Sequence, residues 1–361
     1  MIKVFFFYYN KNKYYSSTPI VNNFKILFYN RDKFLEHNIE VIPFIDYVPE
    51  LDKTKMLTDE PKSNLDMYFE NAMKSILIEL PNYANNYEKI IFLGFHPKPF
   101  TPMQRHFKEL KKYNNIYTIL WQDDLQAYFT PEPKLKRFDF IDRIITPSPV
   151  YLKQIAPQLL DKTSFFFYSV DFAFIKGCSQ KFSRRENKII LSGCINKNYR
   201  IRHEIANEIN TNKNFAEIAE VLHKPRMKEY NYKNKSLLPY GLNYYKILGN
   251  YRGAFFGYYD APMNFNLAKI IEILSCGCIG FFEESPLLKD ELGLIPLVHY
   301  VPCTNDGELI TKVKYYKYFL DNEDNVGLTI ANNGRKYVED NFSNTNGINN
   351  YIKIFNDIGK K

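Results

Sequence analysis

The chain has 361 residues, of which 45% are hydrophobic and 24% charged, and a formal net charge of +8. That length exceeds one small core and fits two domains of about 150 residues each, and no apolar run approaches the roughly 18 to 20 residues a membrane span needs. The charge is mild for the length and its Lys residues are scattered among Asn and Tyr, so no nucleic-acid partner is expected and phosphate binding is only weakly supported.

The opening segment, MIKVFFFYYNKNKYY, has one early Lys and a short apolar run before polar residues, and it reads as a strand over Lys3–Tyr8 and not as a signal peptide. A soluble, cytoplasmic protein is expected. Strands follow at Glu40–Ile45, Lys89–Phe95, Ile116–Trp121 and Arg143–Thr146, with helices over Ser63–Ile78 and Pro102–Lys112. A second series has strands Lys188–Ser192, Ala254–Tyr258, Cys278–Phe282 and Leu297–Val301. Its helices are Ile201–Ile209, Tyr244–Leu248, Leu267–Ser275, Asp306–Phe319 and Val326–Asp340. This alternation is the pattern of α/β layers on parallel sheets.

The turn- and charge-rich segment Tyr168–Glu186 is placed as the boundary, dividing the chain into domains 1–175 and 176–343. In the remaining tail, 344–361, the amphipathic stretch Ile348–Ile358 is available to pack back across the first domain. The five cysteines, Cys178, Cys194, Cys276, Cys278 and Cys303, are odd in number and scattered, which suits reduced, buried thiols. Cys276 and Cys278 lack CxxC spacing, so packing is expected of them and not zinc.

The most informative stretch is NFNLAKIIEILSCGCIGFFEE. Leu267, Ile270, Ile271 and Leu274 recur at helical spacing, Lys269 and Glu272 fall on one face, and Gly277 stops the helix before a buried strand. Glu272 interrupts an apolar face; a carboxylate there accepts the two hydrogen bonds of vicinal ribose hydroxyls, while Lys269 neutralises phosphate. The alternative, an exposed ion pair on the helix surface, stays open on these residues alone. Upstream, the strand KIILSG ends at Gly193 and the loop CINKNYR leads into a helix starting near Ile201, bringing Lys197, Arg200 and Arg202 together; a solvated basic helix start stays open for each of the three. A small residue at such a turn lets backbone N–H groups approach an anion, and the cations offer charge-assisted contacts to a diphosphate.

Four pieces, IILSGCINKNYRIR, GLNYYKILGNYRGAFF, LAKIIEILSCGCIGFFEE and DGELITKVKYYKYFLDNEDNVGLTIANNGRKYVEDNFS, occur in the order and spacing of one family. Over Lys188–Ser343 the chain resembles the group 1 glycosyltransferases of the GT-B fold, particularly the branch related to spore-maturation glycosyltransferases. The resemblance implies two Rossmann-like domains with parallel sheets facing across a cleft, the first on the acceptor side and the second binding a nucleotide-diphosphate sugar. It implies Gly193 under the phosphates, Arg202 and Lys269 near the diphosphate and Glu272 at the ribose. The family's acidic residue eight positions before Glu272 is replaced here by Asn264, which puts the sugar contact in doubt and leaves Asp260 as a substitute.

On the acceptor side LWQDDL resembles the point where a strand of this family ends beside the acceptor. Asp123 and Asp124, with His96 in GFHPKPF, are the candidate catalytic groups; loop-capping or surface roles for all three stay open. The chain has no Asp-x-Asp for a divalent cation, no GxGxxG and no Walker-type GxxxxGK. No metal and no cofactor are therefore expected, the nucleotide-sugar entering as donor substrate and a glycan or other hydroxyl compound as acceptor. The rival reading is a non-catalytic GT-B-like scaffold that binds glycans or nucleotides, for which Asn264 speaks.

Overall fold

The computed structural model describes residues 1–8, 19–48, 62–95, 105–122, 139–193, 195, 199–222, 242–258, 268–303, 309–321 and 325–360. They divide into two compact units: the chain leaves the first after Ser169, builds the second from Val170 to Ser343, and returns to the first with Asn344–Lys361.

Near-continuous apolar runs such as IKVFFF make strands buried on both faces, as parallel sheets require. In the first unit β1 (Ile2–Phe7), β2 (Ile39–Pro43), β3 (Lys89–Phe95), β4 (Ile116–Trp121), β5 (Arg143–Thr146) and β6 (Thr163–Phe165) form one sheet in the order β2-β1-β3-β4-β5-β6. Every pairing is parallel. Phe5 and Phe92 pack across β1 and β3 at 5.3 Å, and Phe44, just after β2, packs on Phe69 of the Lys62–Asn86 helix at 4.4 Å. The Asn344–Asp357 helix belongs to this unit: Tyr351 lies 4.5 Å from Phe166, and Lys89 Nζ donates to the Asn356 carbonyl at 2.7 Å.

The second unit carries β7 (Glu186–Leu191), β8 (Ala219–Val221), β9 (Tyr251–Phe256), β10 (Ile279–Phe282) and β11 (Val301–Pro302), parallel in the order β11-β10-β9-β7-β8. Tyr316 from the Leu309–Leu320 helix stands edge-on to Phe255 and Phe281, each at 5.3 Å. In both units the aromatic content is spent on cores, where ring packing adds about 0.5–1.5 kcal/mol per pair beyond area burial. Cys178, Cys276 and Cys278 are buried free thiols.

Three expectations are corrected. The strand placed at Leu297–Val301 shrinks to Val301–Pro302 because Leu297 takes φ +59° and its N–H closes a turn onto the Tyr300 carbonyl at 2.7 Å. The helix placed at Ser63–Ile78 runs over Lys62–Asn86, carrying Pro81 inside it. The helix placed at Pro102–Lys112 is, among the described residues, broken by a turn at His106, with Arg105 helical before it and the Phe107–Leu110 helix after it.

Candidate functional site

Parallel strands deliver their carboxyl ends to one edge of a sheet, where α/β sheets present ligand sites. In the second unit β7 ends at Leu191 and the chain turns through Ser192 and Gly193. Gly193 holds φ at +100°, a conformation side chains rarely adopt. A Cβ built there would lie 3.1 Å from Arg202 Nη1 and 3.2 Å from Lys269 Cε. The bare backbone of Gly193 thus allows two cationic side chains from separate helices to close on the end of one strand.

Arg202 sits on the first turn of the Arg200–Thr211 helix and is only 2% exposed. Its guanidinium carbon lies 4.2 Å from the Tyr199 ring centroid and 5.6 Å from that of Phe256, a cation–π setting that suits a buried Arg. A second glycine borders it where β9 ends: a Cβ on Gly257 would meet Arg202 Cγ and Glu283 Oε2, each at 3.3 Å. Glu283, at the end of β10, accepts the Tyr258 N–H at 2.7 Å.

Lys269 and Glu272 lie on the Lys269–Ser275 helix with Nζ and Oε2 3.5 Å apart. Glu272 is 6% exposed, so the exposed surface pair left open by the sequence does not describe them. Lys269 Nζ donates to the Tyr244 phenol oxygen at 2.6 Å, and that oxygen is 2.7 Å from Ser192 Oγ. Burial alone would push the Lys269 ammonium down, but Tyr244 and Glu272 outweigh it and the net shift is upward, with Arg202 opposing. Burial raises the Tyr244 phenol, with Lys269 pulling the other way. At neutral pH the site therefore holds an ammonium and a neutral phenol.

The helix that carries the pair is short but tied at its far end. Gly277 takes φ +66° just beyond it. Arg185 then donates to the Gly277 carbonyl at 2.6 Å and to the Cys276 carbonyl at 3.0 Å. A cation there satisfies carbonyls the helix cannot, and it suits the negative end of the dipole.

Of the residues singled out by sequence, Gly193, Arg202, Lys269 and Glu272 are gathered in this one place, and Arg200 is exposed at the helix start. Lys197, Asn264, Asp260, Asp123, Asp124 and His96 lie outside the described residues. Ser192, Tyr244, Gly257 and Glu283 were missed. Gly257 and Glu283 had a signal, each directly following a buried strand; the contacts of Tyr244 join elements far apart in sequence and leave none. Among the described residues no group of three or more His, Cys, Asp and Glu side chains could hold a metal ion, and no helix is long and apolar enough to cross a membrane.

Solved structures align with the chain over almost its whole length. HepE of Anabaena, solved in complex with UDP and glucose, matches with a TM-score of 0.60 at 11% identity, covering 99% of this chain and 100% of that one. The two parallel sheets, of six and five strands, match those of known GT-B glycosyltransferases. The chain has the GT-B fold. An alpha-glucosyltransferase in complex with UDP and a 13-mer DNA shares that fold with a TM-score of 0.61 at 12% identity, covering 99% of both chains. The sucrose-phosphate synthase of Thermosynechococcus elongatus shares it at 0.58 and 10% identity, again covering 99% of both. No family model and no curated protein sequence matches the chain.

Chemically, the end of β7 offers a glycine turn with two cations beside it. A diphosphate carries the charge opposite to that of those cations, and a carboxylate one helical turn from Lys269 can accept from a diol.

Proposed function

We propose that the chain is a glycosyltransferase that moves a sugar from a nucleotide-diphosphate sugar to a hydroxyl acceptor without a metal ion. The observation that carries this reading is the approach of Arg202 and Lys269 to Gly193, with Glu272 beside them on the GT-B fold. The alpha-glucosyltransferase and HepE neighbours, solved with UDP, support it. The motif order further supports placing the chain in the branch resembling spore-maturation glycosyltransferases, and domains 1–175 and 176–343 as its acceptor and donor halves.

In this reading the diphosphate lies against the Gly193 turn, where Arg202 and Lys269 balance the charge that grows as the glycosidic bond to phosphate breaks. Preorganised groups of this kind stabilise departure without having to reorient. Glu272 accepts from the ribose hydroxyls and so sets where the diphosphate rests. Asp123, Asp124 and His96 are the candidates to take the acceptor proton if the reaction inverts configuration. The acceptor is read as a glycan or other hydroxyl compound, and because one fold neighbour was solved with DNA, an oligonucleotide belongs in the acceptor panel.

Glu272→Ala tests the placement. Removing the ribose acceptor should weaken nucleotide-sugar binding about tenfold, the equivalent of about 1.4 kcal/mol, as measured by calorimetric titration. Unchanged affinity would place the donor elsewhere. A purely scaffolding protein would bind but release no nucleoside diphosphate.

A further inference from the structure

Lys269 Nζ stands between two partners. The Glu272 carboxylate, which carries the opposite charge, is 3.5 Å away, whereas the neutral Tyr244 oxygen is at 2.6 Å. An ammonium left to itself closes on a carboxylate to about 2.7–2.9 Å. Here it is drawn to the phenol instead. That phenol is itself fixed, since Tyr244 is buried on the Leu242–Leu248 helix and its oxygen lies 2.7 Å from Ser192 Oγ. Its ring also faces the ammonium, 4.4 Å from Nζ to centroid. Ser192 directly precedes Gly193, so the relay joins the end of β7 to the helix that bears Lys269.

We propose that Tyr244 is a positioning residue of the donor site: its hydroxyl, set by Ser192, holds the Lys269 ammonium beside Gly193 and off Glu272. This rests on the donor-site reading above. Among the described residues, the titratable and charged groups around Lys269 are Tyr244 from one helix, Glu272 from its own, and Arg202 from the helix after β7, beside the Gly193 turn. Held by a neutral partner, the ammonium keeps its charge for a phosphate and the carboxylate keeps its lone pairs for a ribose. Without the hydroxyl the two swing together, and each ligand contact then has to break an internal ion pair first.

The test titrates UDP, GDP and dTDP into wild type, Tyr244→Phe, Lys269→Met and the double variant, using the diphosphate that wild type binds best. Tyr244→Phe keeps the ring and should raise Kd about tenfold in the wild-type background and leave it unchanged in the Lys269→Met background, because coupled residues are not additive. The Lys269 ammonium signal in the NMR spectrum, protected by its hydrogen bond, should move in Tyr244→Phe. Ser192→Ala, which leaves the ring in place, should act in the same direction by about threefold. An equal loss in both backgrounds would assign Tyr244 a packing role and overturn the proposal, as would wild-type affinity in Tyr244→Phe and Ser192→Ala. If wild type itself binds none of the diphosphates, the donor-site reading falls and this proposal with it.

Discussion

Replacing Arg202 by Met should weaken nucleoside-diphosphate binding on the order of 100-fold while leaving the fold intact. The side chain is 2% exposed and lies against Tyr199 and Phe256, so Met retains most of the volume and the apolar contact. What it removes is the guanidinium nearest the Gly193 turn, whose Nη1 would stand 3.1 Å from a Cβ there. Each hydrogen bond from a charged group contributes about 1.5–3 kcal/mol, and a fork engaging two phosphate oxygens gives about two decades in Kd. Because the ring contacts and most of the volume are kept, the melting temperature of the ligand-free variant should stay close to that of wild type. Arg202→Lys should not restore affinity fully, because a point charge does not reproduce the fork. Calorimetric titration with melting curves on the same samples checks both halves; a large loss of stability with unchanged affinity would make Arg202 a structural residue.

Gly193→Val should abolish measurable donor binding and also lower the melting temperature. Two penalties combine. The backbone at φ +100° is strained for any side chain, at about 1–3 kcal/mol, and a β-branched one is the least tolerant. Such a loss lowers the melting temperature by roughly 2–4 °C per kcal/mol in a unit of this size. The Cβ alone would lie 3.2 Å from Lys269 Cε, and the two methyl groups would crowd the cations that the proposed function assigns to the phosphates. Differential scanning calorimetry reads the first penalty and titration the second. If the variant binds like wild type once folded, the glycine serves the turn and not the ligand.

The helix bearing Lys269 and Glu272 was legible because it is written locally. Apolar positions at helical spacing, a Lys and Glu three residues apart and a glycine stop all fall within a single segment, and the observed Lys269–Ser275 helix ends before Gly277 as that pattern requires. Buried strands such as Lys89–Phe95 and Ile116–Trp121 were equally plain as β-rich apolar runs. Other elements are decided by partners far along the chain. The Pro19–Tyr29 helix escaped notice because it begins PIVNN, and its asparagines are committed elsewhere: Asn23 Oδ1 accepts from the Ser169 N–H at 2.9 Å, and Asn22 Nδ2 donates to the Ser169 carbonyl at 3.0 Å. Strands β6 and β8 have three residues each, too few for any periodicity. Tyr244 carried no mark either, since its hydroxyl matters only once Ser192 and Lys269 have been brought to it.

The central claim is that the second unit grips a nucleotide-sugar at Gly193, Arg202, Lys269 and Glu272. It is tested most directly by following the thermal unfolding of the wild-type protein with UDP-, GDP-, dTDP- and CMP-sugars in turn. A true donor at 100 times its Kd stabilises the native state by about 2.7 kcal/mol, so one diphosphate sugar should raise the midpoint by several degrees, and Arg202→Met should erase that rise. If no nucleotide-sugar moves the midpoint, or if one moves wild type and Arg202→Met alike, the account is contradicted.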